Sequence, residues 1–124
     1  MSLEKETVIV MAEIKKVFTE AEKKYVWDNK ATKVEGVDPD VFRQDYAGAW
    51  MRYADYGNRN SQYGWEIDHL KPLSQGGEEV MTNYLPLQWQ NNVRKGDNYP
   101  RWATAVVADG QNNVEQEKFW KVNS

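Results

Sequence analysis

The chain has 124 residues, 16 Lys and Arg against 19 Asp and Glu, and a formal net charge of −3. That length suits one domain with a core of its own, and six Trp with seven Tyr give an apolar drive that disordered segments lack. With no cysteine, disulfides and thiolate zinc sites are excluded.

The first residues, Met1 to Glu6, are charged, and the apolar run Val8 to Ala12 is too short for a signal-peptide core. No segment approaches the roughly 18 apolar residues of a membrane span. A soluble, cytoplasmic protein with no membrane partner is expected. Residues 4–25 allow two readings. Val8, Met11, Ile14, Phe18, Ala21 and Tyr25 recur at steps of three and four, as on one amphipathic helix. Against this, Thr19-Glu20-Ala21-Glu22 is a capping box, which favours a break near Thr19 and a helix over 20–29.

Gly36 to Asp40 is a turn cluster, and 41–56 reads as a hairpin or an irregular extended segment interrupted by Gly48. Tyr56 to Ser61 is a loop by composition. Trp65-Glu66-Ile67-Asp68 alternates as a half-buried strand does. After the loop at Ser74-Gln75-Gly76-Gly77, Tyr84-Leu85-Pro86-Leu87 reads as the returning strand, its Pro requiring a strand end or an unpaired edge. Gln88 to Lys95 then forms two helical turns stopped by Gly96. Thr104 to Ala108 reads as a strand, and Asp109-Gly110 is a hairpin turn signal.

The central segment is therefore strand, long loop, strand, short helix. Asp68 and His69 close its first strand, Asn83 precedes the second, and Asn92 lies on the helix. Phosphodiester hydrolysis needs an activated water, charge compensation at phosphorus and a stabilised leaving oxygen. A histidine with a pKa of about 6.5 can take a proton from water at neutral pH. One divalent ion can supply the charge. Hard ions such as Mg²⁺ take oxygen ligands, for which the Asp68 carboxylate and the Asn92 amide oxygen are suitable.

The run Trp65 to Gly77, then Asn83 to Leu87, then Asn91-Asn92-Val93-Arg94-Lys95-Gly96-Asp97, resembles the HNH family of His-Me finger (ββα-metal) endonucleases. The resemblance covers residues 65–97, and the segments 1–45 and 101–124 carry nothing specific to that family. It implies an α+β fold: a ββα-metal core of β-hairpin and short helix over 63–100, with a flanking N-terminal helix and extra strands as extensions, in one domain spanning 1–124. It further implies His69 as general base, Asp68 and Asn92 as metal ligands, and Asn83 as the residue that ties the loop and helps aim the base. The implied cofactor is one divalent ion, Mg²⁺ first, with Mn²⁺, Ni²⁺ or Zn²⁺ as substitutes. The implied partner is DNA, with RNA left open. Many members of the family hold a structural zinc with cysteine pairs; this chain has none, and the stretch Tyr46 to Trp50 is the candidate replacement.

Other residues have two readings each. Lys71, Arg94, Lys95 and Arg101 are candidate phosphate contacts, and equally ordinary solvated charges. Arg43, Arg52 and Arg59 are weaker candidates. Residues 41–101 hold seven basic and seven acidic side chains, so no part is strongly basic, which is unusual for a protein held to phosphates by counterion release. This balance keeps open a rival function: a catalytically silent module of the same fold that binds nucleic acid or a protein. A hydrolase acting on another phosphate ester is the third class.

Overall fold

Thr19 ends the extended entry of the chain and starts a helix. In the computed structural model, which describes residues 16–122, Thr19 Oγ1 accepts the Glu22 N–H at 3.1 Å and the Glu22 carboxylate accepts the Thr19 N–H at 2.9 Å. This reciprocal pair caps α1, Glu20–Lys30. The break expected at Thr19 is present, while the periodic positions Val8, Met11 and Ile14 lie outside the described residues. At the other end, the buried Arg43 guanidinium donates to the carbonyls of Trp27 at 3.0 Å, Asp28 at 3.1 Å and Ala31 at 3.4 Å. Arg43 thus serves the carbonyls at the helix terminus, sharing that of Trp27 with the Ala31 N–H at 3.3 Å, and its guanidinium is committed inside the fold.

The strands form three antiparallel pairs. β1 (Phe42–Gln44) pairs with β2 (Trp50–Arg52), β3 (Trp65–His69) with β4 (Tyr84–Gln88), and β5 (Arg101–Asp109) with β6 (Asn112–Lys121). Of the two readings for 41–56, the hairpin is found, followed by a 3-10 turn over Tyr53–Asp55. α2, Trp89–Lys95, follows β4 directly. The described residues are thus a small α+β fold with two α-helices and three two-stranded sheets. No helix among them is long and apolar enough to cross a membrane. Pro86 sits inside β4 but costs no ladder bond on its outer side, because β3 is the only strand β4 pairs with.

β3 alternates as its sequence demands. Trp65 and Ile67 enter the core with Trp27, Met51 and Tyr84, while Glu66 and Asp68 share the opposite face. The Trp27 and Trp65 rings lie 5.2 Å apart, and Tyr53 and Tyr56 pack against them. Burying one such ring removes about 150–250 Å² from water, worth roughly 4–6 kcal/mol before entropy is counted. Phe18, Trp27, Trp65, Tyr84 and Trp102 are buried, while Tyr25, Tyr46 and Phe119 stay exposed.

Two buried polar side chains weld the pieces together. Asp45, 2% exposed, accepts the Ala47 and Ala49 N–H groups on Oδ1 and the Gln88 N–H and Asn91 Nδ2 on Oδ2, all at 2.9–3.0 Å. The turn between β1 and β2 is thereby fixed to the start of α2. The stretch Tyr46 to Trp50 is tied to the rest of the fold in this way. Asn91 faces the register shift between Thr104 and Val106 in β5. Its Oδ1 accepts both the Ala105 and Val106 N–H groups at 2.8 Å, and Nδ2 also donates to the Val106 carbonyl at 3.1 Å. The amide completes the ladder where the strands slip.

Candidate active site

β3, β4 and α2 bring Asp68, His69 and Asn92 onto one open cleft of about 540 Å³. Register places His69 opposite Tyr84 and Asp68 opposite Leu85 at the end of the hairpin. Lys16, Arg59, Glu66 and Ser74 also line the cleft. The four residues expected to act are therefore near one another in the chain's fold, with Asn83 in a supporting place. Asn83 Oδ1 accepts the Lys71 N–H at 2.9 Å, and its Nδ2 donates to the carbonyls of Lys71 and Glu78, each at 3.0 Å. One amide thus closes the loop 71–78 on itself.

Gly77 lets that loop close. A Cβ there would lie 1.8 Å from the Lys71 carbonyl oxygen, so only glycine permits this backbone approach. Gly76 has φ +89° and ends the 3-10 turn Leu73–Gln75. The glycine pair is loop geometry.

Asp68 is largely buried. Burial pushes its carboxyl above the ordinary carboxylate range, against the opposing pull of Lys95. Lys95 is fully buried, with Nζ 2.7 Å from Asp68 Oδ2 and 3.1 Å from the His69 carbonyl oxygen, to which it donates. The ammonium closes Oδ2 off from solvent as a buried ion pair. Lys95 therefore differs from the solvent-facing phosphate contact expected of it: its ammonium is committed inside the fold. Arg94 is bound to Glu117 on the surface at 2.7 and 3.0 Å. Lys71 and Arg101 remain exposed.

His69 is 20% exposed at its side chain, with its ring packed edge-on against Tyr84 at 5.5 Å. Its Nε2 meets both oxygens of Glu79, Oε2 at 2.9 Å and Oε1 closer still. Asn92 Nδ2 donates to Glu66 Oε1 at 2.8 Å, and Glu66 also receives both prongs of Arg59, at 2.8 and 2.9 Å. With its nitrogen so engaged, the Asn92 amide presents its oxygen as the remaining acceptor.

Sequence reasoning missed Glu66 and Glu79, and named Arg59 only as a weaker phosphate contact. Glu66 carried a signal, since it lies two residues before Asp68 on an alternating strand and so on the same face. Glu79 carried none, and neither did the pairing of Arg59 with Glu66, because the partners come from separate segments.

The resemblance asks Asp68 and Asn92 to hold one hard cation, and both line the same cleft. Asp68 Oδ2 is closed off from solvent by the Lys95 ammonium, and the Asn92 amide is held through its nitrogen by Glu66. No cluster of three or more His, Cys, Asp or Glu suited to an ion occurs among the described residues, so water and substrate oxygens would fill the rest of the shell, as is usual for Mg²⁺. Compared with family models, curated proteins and solved structures, the chain matches none.

Proposed function

We propose that this protein is a metal-dependent endonuclease of the HNH, His-Me finger type, hydrolysing DNA phosphodiester bonds. The observation that carries the reading is the meeting of Asp68, His69 and Asn92 on one solvent-open cleft, formed by a hairpin and the helix that follows it. The reading rests on those residues and on the motif resemblance over 65–97, not on the bare α+β architecture.

In this account His69 takes the proton from the attacking water, and Asp68 and Asn92 would hold the cation. Such an ion would supply Lewis-acid polarisation of the phosphate and charge compensation at the departing oxygen. Lys95 fixes the Asp68 carboxylate and the His69 backbone at once. Asn83 keeps loop 71–78 closed beside the cleft. Of the surface cations, Lys71 and Arg101 are the free candidates for phosphate contacts, while Arg59 and Arg94 are already paired with carboxylates.

One observation favours the rival reading of a silent binding module: His69 Nε2 is already held by Glu79. The two readings separate in a plasmid assay across Mg²⁺, Mn²⁺, Ni²⁺ and Zn²⁺. Nicking that EDTA abolishes supports the nuclease; DNA binding that survives EDTA, without cleavage under any metal, supports the module.

A further inference from the structure

We infer that Glu79 is a positioning residue for His69: it fixes the imidazole ring and its tautomer, so that Nδ1 is the proton-accepting atom. The inference rests on the nuclease reading for its catalytic meaning and on geometry for its physical content.

An ionised carboxylate can only accept hydrogen bonds, and a neutral imidazole has one N–H and one lone pair. Glu79 faces Nε2 with both oxygens. For the neutral ring this geometry puts the proton at Nε2 and leaves the lone pair to Nδ1. A 180° flip of the ring would give up this contact, while its edge-on packing against Tyr84 holds the ring plane. The same logic makes the carboxylate of a serine-protease triad an orienting group that never needs to take the proton itself.

Glu79 is itself held in place from behind. The Asn83 amide donates to the carbonyl of Glu78, the preceding residue, and the Leu70 N–H donates to the Asn83 carbonyl at 2.8 Å. A connection thus runs from Leu70, just past the end of β3, through Asn83 to Glu78, along the chain to Glu79, and back to His69. Asn83 acts on the base through Glu79, a more specific role than closing the loop.

The test uses the fact that His69 is the sole histidine, so nitrogen-15 NMR of labelled protein reads one imidazole without assignment. Wild type is expected to carry its proton on Nε2, protected from exchange, and Glu79→Ala to lose that protection. In the cleavage assay Glu79→Gln, whose amide can accept from Nε2 or donate to it, is expected to lower kcat about 100-fold with KM little changed. Glu79→Asp should recover part of the loss. A wild-type ring protonated on Nδ1, an Nε2 proton equally protected in Glu79→Ala, or kcat unchanged in Glu79→Gln would each overturn the proposal. If wild type cuts no DNA, the nuclease reading fails, and the NMR comparison still decides whether Glu79 holds the ring.

Discussion

Lys95 Nζ lies 2.7 Å from Asp68 Oδ2, and no part of Lys95 reaches solvent. A cation from the last turn of α2 is thereby set against a carboxylate at the end of β3. The pair joins helix to hairpin at the point where the cleft opens. Taking two charges out of water is costly, and removing one partner is worse, because the other is left buried and uncompensated.

Lys95→Met is therefore expected to destabilise the protein by about 3–5 kcal/mol, read as a lower urea midpoint. Adding Asp68→Asn to Lys95→Met should recover much of that stability, since no lone buried charge remains. It should not recover cleavage. A double variant as unstable as the single one would contradict the ion-pair account.

Asn83→Ala removes three hydrogen bonds that close loop 71–78. The expected result is faster proteolytic cutting within that loop, with a global stability loss of about 1–3 kcal/mol. Cleavage should fall with it. Unchanged protease sensitivity would mean that the loop does not depend on this amide.

Gly77→Ala would place a methyl 1.8 Å from the Lys71 carbonyl oxygen, against rigid backbone. The loop must move, and His69 loses the setting that this loop supplies through Glu79. A displacement on the order of 1 Å can cost roughly 100-fold in rate. Single-turnover cleavage measures it, and an unaffected rate would count against a fixed loop.

Asp45 supplies a pH prediction. Both its oxygens accept two N–H groups, yet burial pushes its carboxyl above the ordinary value of about 3.9. A group raised in this way contributes stability that is fully present below the unfolded value and is lost as pH rises through the folded one. Asp68 is raised by burial too and adds the same sign. Asp45→Asn should flatten the decline of Tm with rising pH in that window. It should also lower stability by about 1–3 kcal/mol, because its NH₂ would face donors. A steeper decline in the variant would contradict the assignment.

Much of the local structure was legible in the sequence because its causes are local. The capping box at Thr19 and Glu22, the alternation at Trp65 to Asp68, and Gly96 after α2 each rest on neighbours within a few residues. The hairpin turn at Asp109-Gly110 is of the same kind, and β5 and β6 meet there. The residues that hold the pieces together were not legible. Asp45 meets Asn91 46 positions along the chain, and Lys95 reaches His69 across 26. Nothing in the type or spacing of Lys95 distinguishes a buried partner of Asp68 from a surface phosphate contact; only the docking of α2 does.

The most direct measurement is metal-dependent cleavage of supercoiled plasmid by wild type beside His69→Ala, at matched fold as judged by circular dichroism. Nicking by wild type with Mg²⁺ or Mn²⁺, absent with EDTA and reduced at least about 100-fold in His69→Ala, is the predicted result. Equal cutting by the two proteins, or none by wild type with any of the four ions, would contradict it.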